Sequence, residues 1–280
     1  MDNPLVLGFV APFGVALAAM TLARVLASGG MRTWLTGASI ALGFLAAQVV
    51  IFGWPAWPPL GAQQKIAVAI AASIALGLVA DLSRPGAALR RLTTLCAIAI
   101  AAAWLILPLL RPAFSLDLGL AAGAFAVALI IAWRCGAMLD DAQAAGATLA
   151  ITAFGLSVVA VLGNTASIGQ LAGALAAAAA AYTIWNWLGG RDSFGVAASL
   201  GGFGALALLA AQAVAFTRTN VIAIVVLLGS LFAPRLIRAG LPGLSPSSFF
   251  FAVAVAIAAA VPAGAAVAVA FLAGGARAPY

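Results

Sequence analysis

The sequence has no histidine and no glutamate, and aspartate is its only acidic residue, at six positions in 280. These gaps exclude much chemistry at once. Without histidine there is no HExxH metalloprotease motif, no serine–histidine pair of the rhomboid kind, and no imidazole for a metal site. The two cysteines, Cys96 and Cys135, stand too far apart for a CxxC pair and read as small packing residues. Asp2, Asp81, Asp117, Asp140, Asp141 and Asp192 all fall near the ends of apolar runs. Neither an intramembrane aspartyl dyad nor a buried acidic proton relay can be assembled from them. No strand precedes a glycine-rich loop, so Gly189-Gly190 and Gly201-Gly202 read as turn and packing residues rather than a phosphate cradle. The expectation is a protein that is not an enzyme and that needs no metal and no cofactor.

Charge is also scarce. Only 7% of residues are charged, against about 25% in soluble domains. What fills the chain is apolar: 66% of residues are hydrophobic, and the mean hydropathy is +1.21. The apolar runs lack the in-out alternation of barrel strands, and only helices and closed barrels satisfy their backbone in lipid. The fold class expected is therefore all-α, a polytopic integral membrane helical bundle. It forms one transmembrane domain over residues 1–280, divisible into two sets of five near residue 143.

Measured against the ~20 apolar residues that span a bilayer, ten runs emerge. They are Pro4–Ala27, Trp34–Trp54, Ile66–Ala80, Leu92–Leu110, Leu118–Met138, Ala145–Gly163, Ile168–Leu188, Val196–Phe216, Asn220–Pro234 and Phe249–Ala273. The third and ninth are short, and the ninth either spans by snorkelling of Arg218 and Arg235 or is re-entrant. The first reads as a retained helix, because Asp2 replaces a basic start and the arginines follow the apolar run.

The net charge of +7 comes from twelve Arg and one Lys scattered singly at run ends, which is a topology signal and not a nucleic-acid patch. Alternate loops carry nine basic residues on one side (Arg24, Arg32, Arg84, Arg90, Arg91, Arg134, Arg191, Arg235, Arg238) and four on the other (Lys65, Arg111, Arg218, Arg277). The positive-inside rule then puts both termini outside, in the periplasm if the membrane is a bacterial inner membrane. Trp34, Trp133, Trp185 and Trp187 fall at the inner boundary and Trp54, Trp57 and Tyr280 at the outer one, with Trp104 the exception. The outer Trp54-Pro55-Ala56-Trp57-Pro58-Pro59 loop reads as a stiff cap, serving as an interfacial anchor or a docking lid. Pro12, Pro108 and Pro262 are candidate kinks.

The stretch Asn164–Trp187 is nearly all Gly and Ala, and Gly169, Gly173, Ala177 and Ala181 recur every fourth residue. Such a stripe lets backbones approach closely, which suits a central post. Among inner-loop charges, Asp81, Arg84, Arg90 and Arg91 form either a headgroup-binding cluster or a solvated orienting loop.

The polar groups left within spans are neutral: Gln48, Ser73, Thr152, Ser157, Gln170, Asn186 and Gln212. Gln48, Asn164, Gln170 and Gln212 share a depth in the outer part of the bundle. They are the candidate substrate-binding residues, as a pocket open to the periplasm; the other reading is interhelical glue. Ten spans in this length is similar in size to the drug/metabolite transporter superfamily. The termini fall on the opposite side from that superfamily's, however, and no internal repeat joins residues 1–143 to 144–280, so membership does not follow. Two functions remain: a permease for a neutral or amphipathic solute, or a non-catalytic structural or assembly subunit of a membrane complex. The partners implied are the lipid bilayer and other membrane subunits.

Overall fold

The computed structural model describes residues 6–26, 30–110, 115–190, 193–245 and 248–275. Among these there is no strand, and ten helices are long and apolar enough to cross a membrane. Helix α1 runs Ala11–Leu26 after a π turn at Val6–Val10, α2 Gly30–Phe52, α3 Ala62–Ser83 and α4 Ala87–Ile106. Then follow α5 Ser115–Gly136, α6 Ala142–Leu162 and α7 Ala166–Trp185. Helix α8, Gly195–Phe216, and helix α9, Val221–Gly240, are both broken; α10 is Phe249–Gly275. The outward faces carry Val10, Ile100, Ile222, Phe250, Ile257 and Phe271, all well exposed. Ten such helices with a periphery this apolar suggest a multi-pass membrane protein.

The two short runs reach full length. Helix α3 starts four residues before Ile66 and ends three after Ala80, while α9 passes through Pro234 to Gly240. Pro234 sits in the first turn of the last piece of α9, where its missing N–H is not needed, so it resets the helix instead of ending it. Pro108 lies in a 3₁₀ turn, Leu107–Leu110, that closes α4, whereas Pro262 is carried inside an unbroken α10. Trp104 stands near the end of α4, six residues before the end of its span at Leu110; its carbonyl accepts from Lys65 Nζ at 3.3 Å, and its ring lies 5.6 Å from that ammonium. Trp54 and Trp57 project from the proline-rich loop with 85% and 82% exposure, as expected of a rim cap.

Contacts between helix ends sort the bundle into two poles. At the arginine-rich pole Arg90 pairs with Asp140 at 2.8 Å, Arg238 pairs with Asp141, and Arg24 stacks over Trp185. At the arginine-poor pole Gln48 reaches Gln63, and Thr165 meets Thr219 at 3.4 Å. The termini themselves, and Arg111, Arg191 and Arg277 of the charge count, lie outside the described residues.

The most enclosed element is α8, not α7. Every residue from Phe194 to Ala215 is buried, whereas Gln170, Ala177 and Ala180 of α7 are partly exposed. Helix α8 is walled by α2 to α7 and by α9, while α7 packs mainly on α6, α1 and α2. The small-residue stripe does what its spacing implies. A Cβ on Gly169 would lie 2.5 Å from Val161 Cγ2, and one on Gly173 would lie 2.9 Å from Phe9 Cζ and 3.3 Å from Ser157 Oγ. The same device recurs around α8: a Cβ on Gly201 would meet Ala41 Cβ at 2.5 Å, and one on Gly202 would meet Leu149 Cδ2 at 2.5 Å. Gly201-Gly202 are thus packing residues, and they lie within a π turn, Ser199–Phe203, inside α8 and not in a loop.

Candidate functional site

Helix ends leave backbone groups without partners, and the start of α8 is buried against neighbouring helices, where little water reaches them. The chain answers with two other elements. Gly195 N–H donates to Leu139 O at 3.0 Å, and Val196 and Ala197 N–H donate to the two carboxylate oxygens of Asp81 at 2.8 and 2.9 Å. Gly195 holds φ +71, and a Cβ there would sit 2.9 Å from Asp81 Oδ2, so glycine is required both by the backbone and by the carboxylate. One turn earlier on α3, a Cβ on Gly77 would fall 2.5 Å from Ala197 Cα. Gly77 and Asp81 therefore form one four-residue-spaced contact, the glycine admitting the backbone of α8 and the carboxylate capping it. By sequence Asp81 belongs to an inner loop with Arg84, Arg90 and Arg91; in the structure it lies on α3 and caps α8.

Arg134 is the second group missed from sequence. It is 5% exposed, and its Nε and Nη2 donate to Leu231 O at 3.3 and 3.1 Å. Its guanidinium lies 4.5 Å from the Phe232 ring and 5.4 Å from that of Trp133. Leu231 belongs to the 3₁₀ segment Leu228–Phe232 that breaks α9. A change of hydrogen-bond register at such a break frees carbonyls, and the buried arginine takes one of them. A proline at the start of the following helical piece was the available signal in sequence.

Three of the candidate amides sit at equal distances from their helix ends. Gln48 stands four residues before the end of α2, Gln170 four residues after the start of α7, and Gln212 four residues before the end of α8. Each is thus about 6 Å inside its helix end. Helix α7 lies against both α2 and α8. Gln48 is 3% exposed and its Nε2 donates to Gln63 O at 2.6 Å, leaving Oε1 buried without a partner. Gln212 is 7% exposed, and its Oε1 is also buried and unpartnered. Gln170 is half-buried. Asn164 is exposed in the α6–α7 turn at φ 58, a left-handed conformation that asparagine tolerates better than most residues. Among the described residues no hydrogen bond joins any two of these four amides.

Two further unpartnered buried hydroxyls lie in neighbouring helices, Thr148 Oγ1 on α6 and Ser230 Oγ in the break of α9. Among the described residues no group of three His, Cys, Asp or Glu could hold a metal. Of the cysteines, Cys135 is buried as a packing residue, whereas Cys96 is exposed on the outside of α4. No protein-family model matches the chain, and no curated protein matches it either.

Proposed function

We propose that this is a multi-pass protein of a bacterial cytoplasmic membrane, with both termini periplasmic, that acts as a permease for a small neutral solute carrying N–H or O–H donors. The observation that carries this reading is the pair of bare amide oxygens, Gln48 Oε1 and Gln212 Oε1, closed off from solvent at one depth on two helices. A buried acceptor without a donor costs ~1–3 kcal/mol, and a buried polar group left in that state calls for an explanation. A passing solute with donor groups is one. Gln170, on the helix that touches both, completes the layer, and Asn164 stands at its periplasmic mouth. The π turn in α8 and the 3₁₀ segment in α9 are in keeping with the same reading, since such departures from α geometry recur at functional sites.

The orientation rests on the distribution of basic residues, nine against four. The test is uptake by proteoliposomes of a panel of uncharged probes, beginning with urea, glycerol and glycinamide. Gln212→Leu should abolish whatever uptake the parent shows while the protein remains folded. Uptake unchanged by Gln212→Leu and by Gln170→Leu refutes the permease.

A second reading, a structural subunit of a membrane complex, draws on two observations. Gln48 Nε2 already serves as glue between α2 and α3, and Gly264 on the exposed face of α10 has nothing within 4 Å. Under that reading Gln212→Leu changes no activity, and the chain copurifies with partner subunits after mild extraction.

A further inference from the structure

Between α4 and α5, at the arginine-rich pole, the bundle opens a crevice of about 270 Å³ walled by Leu92, Leu95, Trp133, Gly136 and Ala137, with Arg91 as its one charged residue. Its shape follows from the sequence. A Cβ on Gly136 would touch the Arg91 stem at 3.5 Å from Cγ and 3.6 Å from Cβ, so the arginine's methylenes rest on the bare backbone of α5.

The two neighbouring cations are committed elsewhere. Arg90 is paired with Asp140, and Arg134 is turned into the bundle onto Leu231 O. Arg91 is exposed and has no ion pair or hydrogen bond among the described residues. Trp133, 56% exposed, is steadied by Phe232 at 6.3 Å between ring centroids. The crevice therefore combines an uncommitted guanidinium, an interfacial indole and an apolar floor that opens toward the outside of the bundle.

We infer that this crevice binds one anionic phospholipid: the headgroup phosphate on Arg91, the indole of Trp133 beside the glycerol backbone, and the first methylenes of an acyl chain against Leu92 and Leu95. Arginine pairs with phosphate through a planar fork of donors. The volume equals that of about nine waters, enough for a headgroup and a few methylenes, with the rest of the chain in the bilayer. Net charge favours an anionic lipid over a zwitterionic one, because the described residues that line the crevice include no carboxylate to receive a choline. The inference rests on the membrane reading above and is independent of which solute, if any, crosses.

The experiment is native mass spectrometry of the full chain extracted in mild detergent and offered equal amounts of phosphatidylglycerol and phosphatidylcholine with the same acyl chains. The parent should retain phosphatidylglycerol preferentially. Arg91→Gln should lower that retention about fivefold, the worth of one basic residue near an anionic headgroup. Ala137→Phe, which fills the crevice from an exposed position and leaves the charge in place, should lower it as well. Arg84→Gln removes an exposed arginine at the same pole but outside the crevice, and should leave retention unchanged.

Equal retention of the two lipids by the parent, or equal effects of Arg91→Gln and Arg84→Gln, overturns the inference. Recovery of the chain from the soluble fraction before extraction overturns the membrane reading and this inference with it. Recovery from membranes without lipid preference overturns this inference alone.

Discussion

Replacing Asp81 with alanine removes both acceptors from the first turn of α8 and leaves Val196 and Ala197 N–H facing the enclosed interior. Each bond is made to a charged acceptor, and such bonds contribute ~1.5–3 kcal/mol apiece. Asp81 itself is only half-buried, so water can follow the truncation in part, as it does at ordinary helix caps where the loss is ~0.5–2 kcal/mol. Between these limits the expected cost is about 2–3 kcal/mol for Asp81→Ala, and roughly half that for Asp81→Asn, whose amide keeps one acceptor. At a few degrees per kcal/mol the alanine variant should melt about 4–10 °C below the parent.

Gly77→Ala attacks the same contact by steric means, with its new methyl 2.5 Å from Ala197 Cα, at an expected ~1–3 kcal/mol. Because both changes loosen one interface, the double variant should lose less than the sum of the single losses. The assay is thermal unfolding of detergent-purified protein, followed by tryptophan fluorescence or by loss of soluble monomer. An Asp81→Ala variant that melts within about 1 °C of the parent would mean that the carboxylate is not the cap of α8, and a strictly additive double variant would mean that Gly77 and Asp81 do not share a contact.

Gln212→Leu should raise stability by about 1–3 kcal/mol, since it removes a buried acceptor that has no donor; a destabilised variant would show that the amide has a structural partner. Gly173→Leu drives a large side chain into Phe9 and Ser157 and should cost at least ~1–3 kcal/mol in the same melting assay. A reporter fused after Tyr280 should be active in the periplasm and silent in the cytoplasm; the reverse would displace the orientation drawn from the arginine count.

Helix number, most boundaries and the close-packing role of Gly169 and Gly173 were legible because apolar run length and four-residue spacing are local properties of a sequence. The distance of Gln48, Gln170 and Gln212 from their own helix ends was legible for the same reason, since it follows from run length alone. The central position of α8 was not. Its Gly201-Gly202 pair resembles a turn, and its enclosure depends on which helices surround it, which no periodicity records. Asp81 and Arg134 were misjudged for a related reason. Each lies near a helix end, where a charge is ordinarily solvated, and only the fold brings the start of α8 to one and the broken backbone of α9 to the other. Helices α3 and α9 outrun their apolar runs because Lys65 reaches Trp104 from within α3 and Pro234 occupies a first-turn position in α9.

The π turn at Ser199–Phe203 gives α8 an uncommon tolerance. In a regular helix, deleting one residue rotates everything beyond it by about 100° and turns each downstream side chain away from its neighbours. A π turn holds one residue more than the α turn that would replace it. Loss of a single glycine from Gly201-Gly202 would convert it to α geometry, leaving Val196 and Ala197 against α3 on one side and Gln212 at its level on the other. The most enclosed helix of the bundle is therefore also one that can absorb a codon deletion, and shortened versions of this chain should carry their gap there before they carry it in α6.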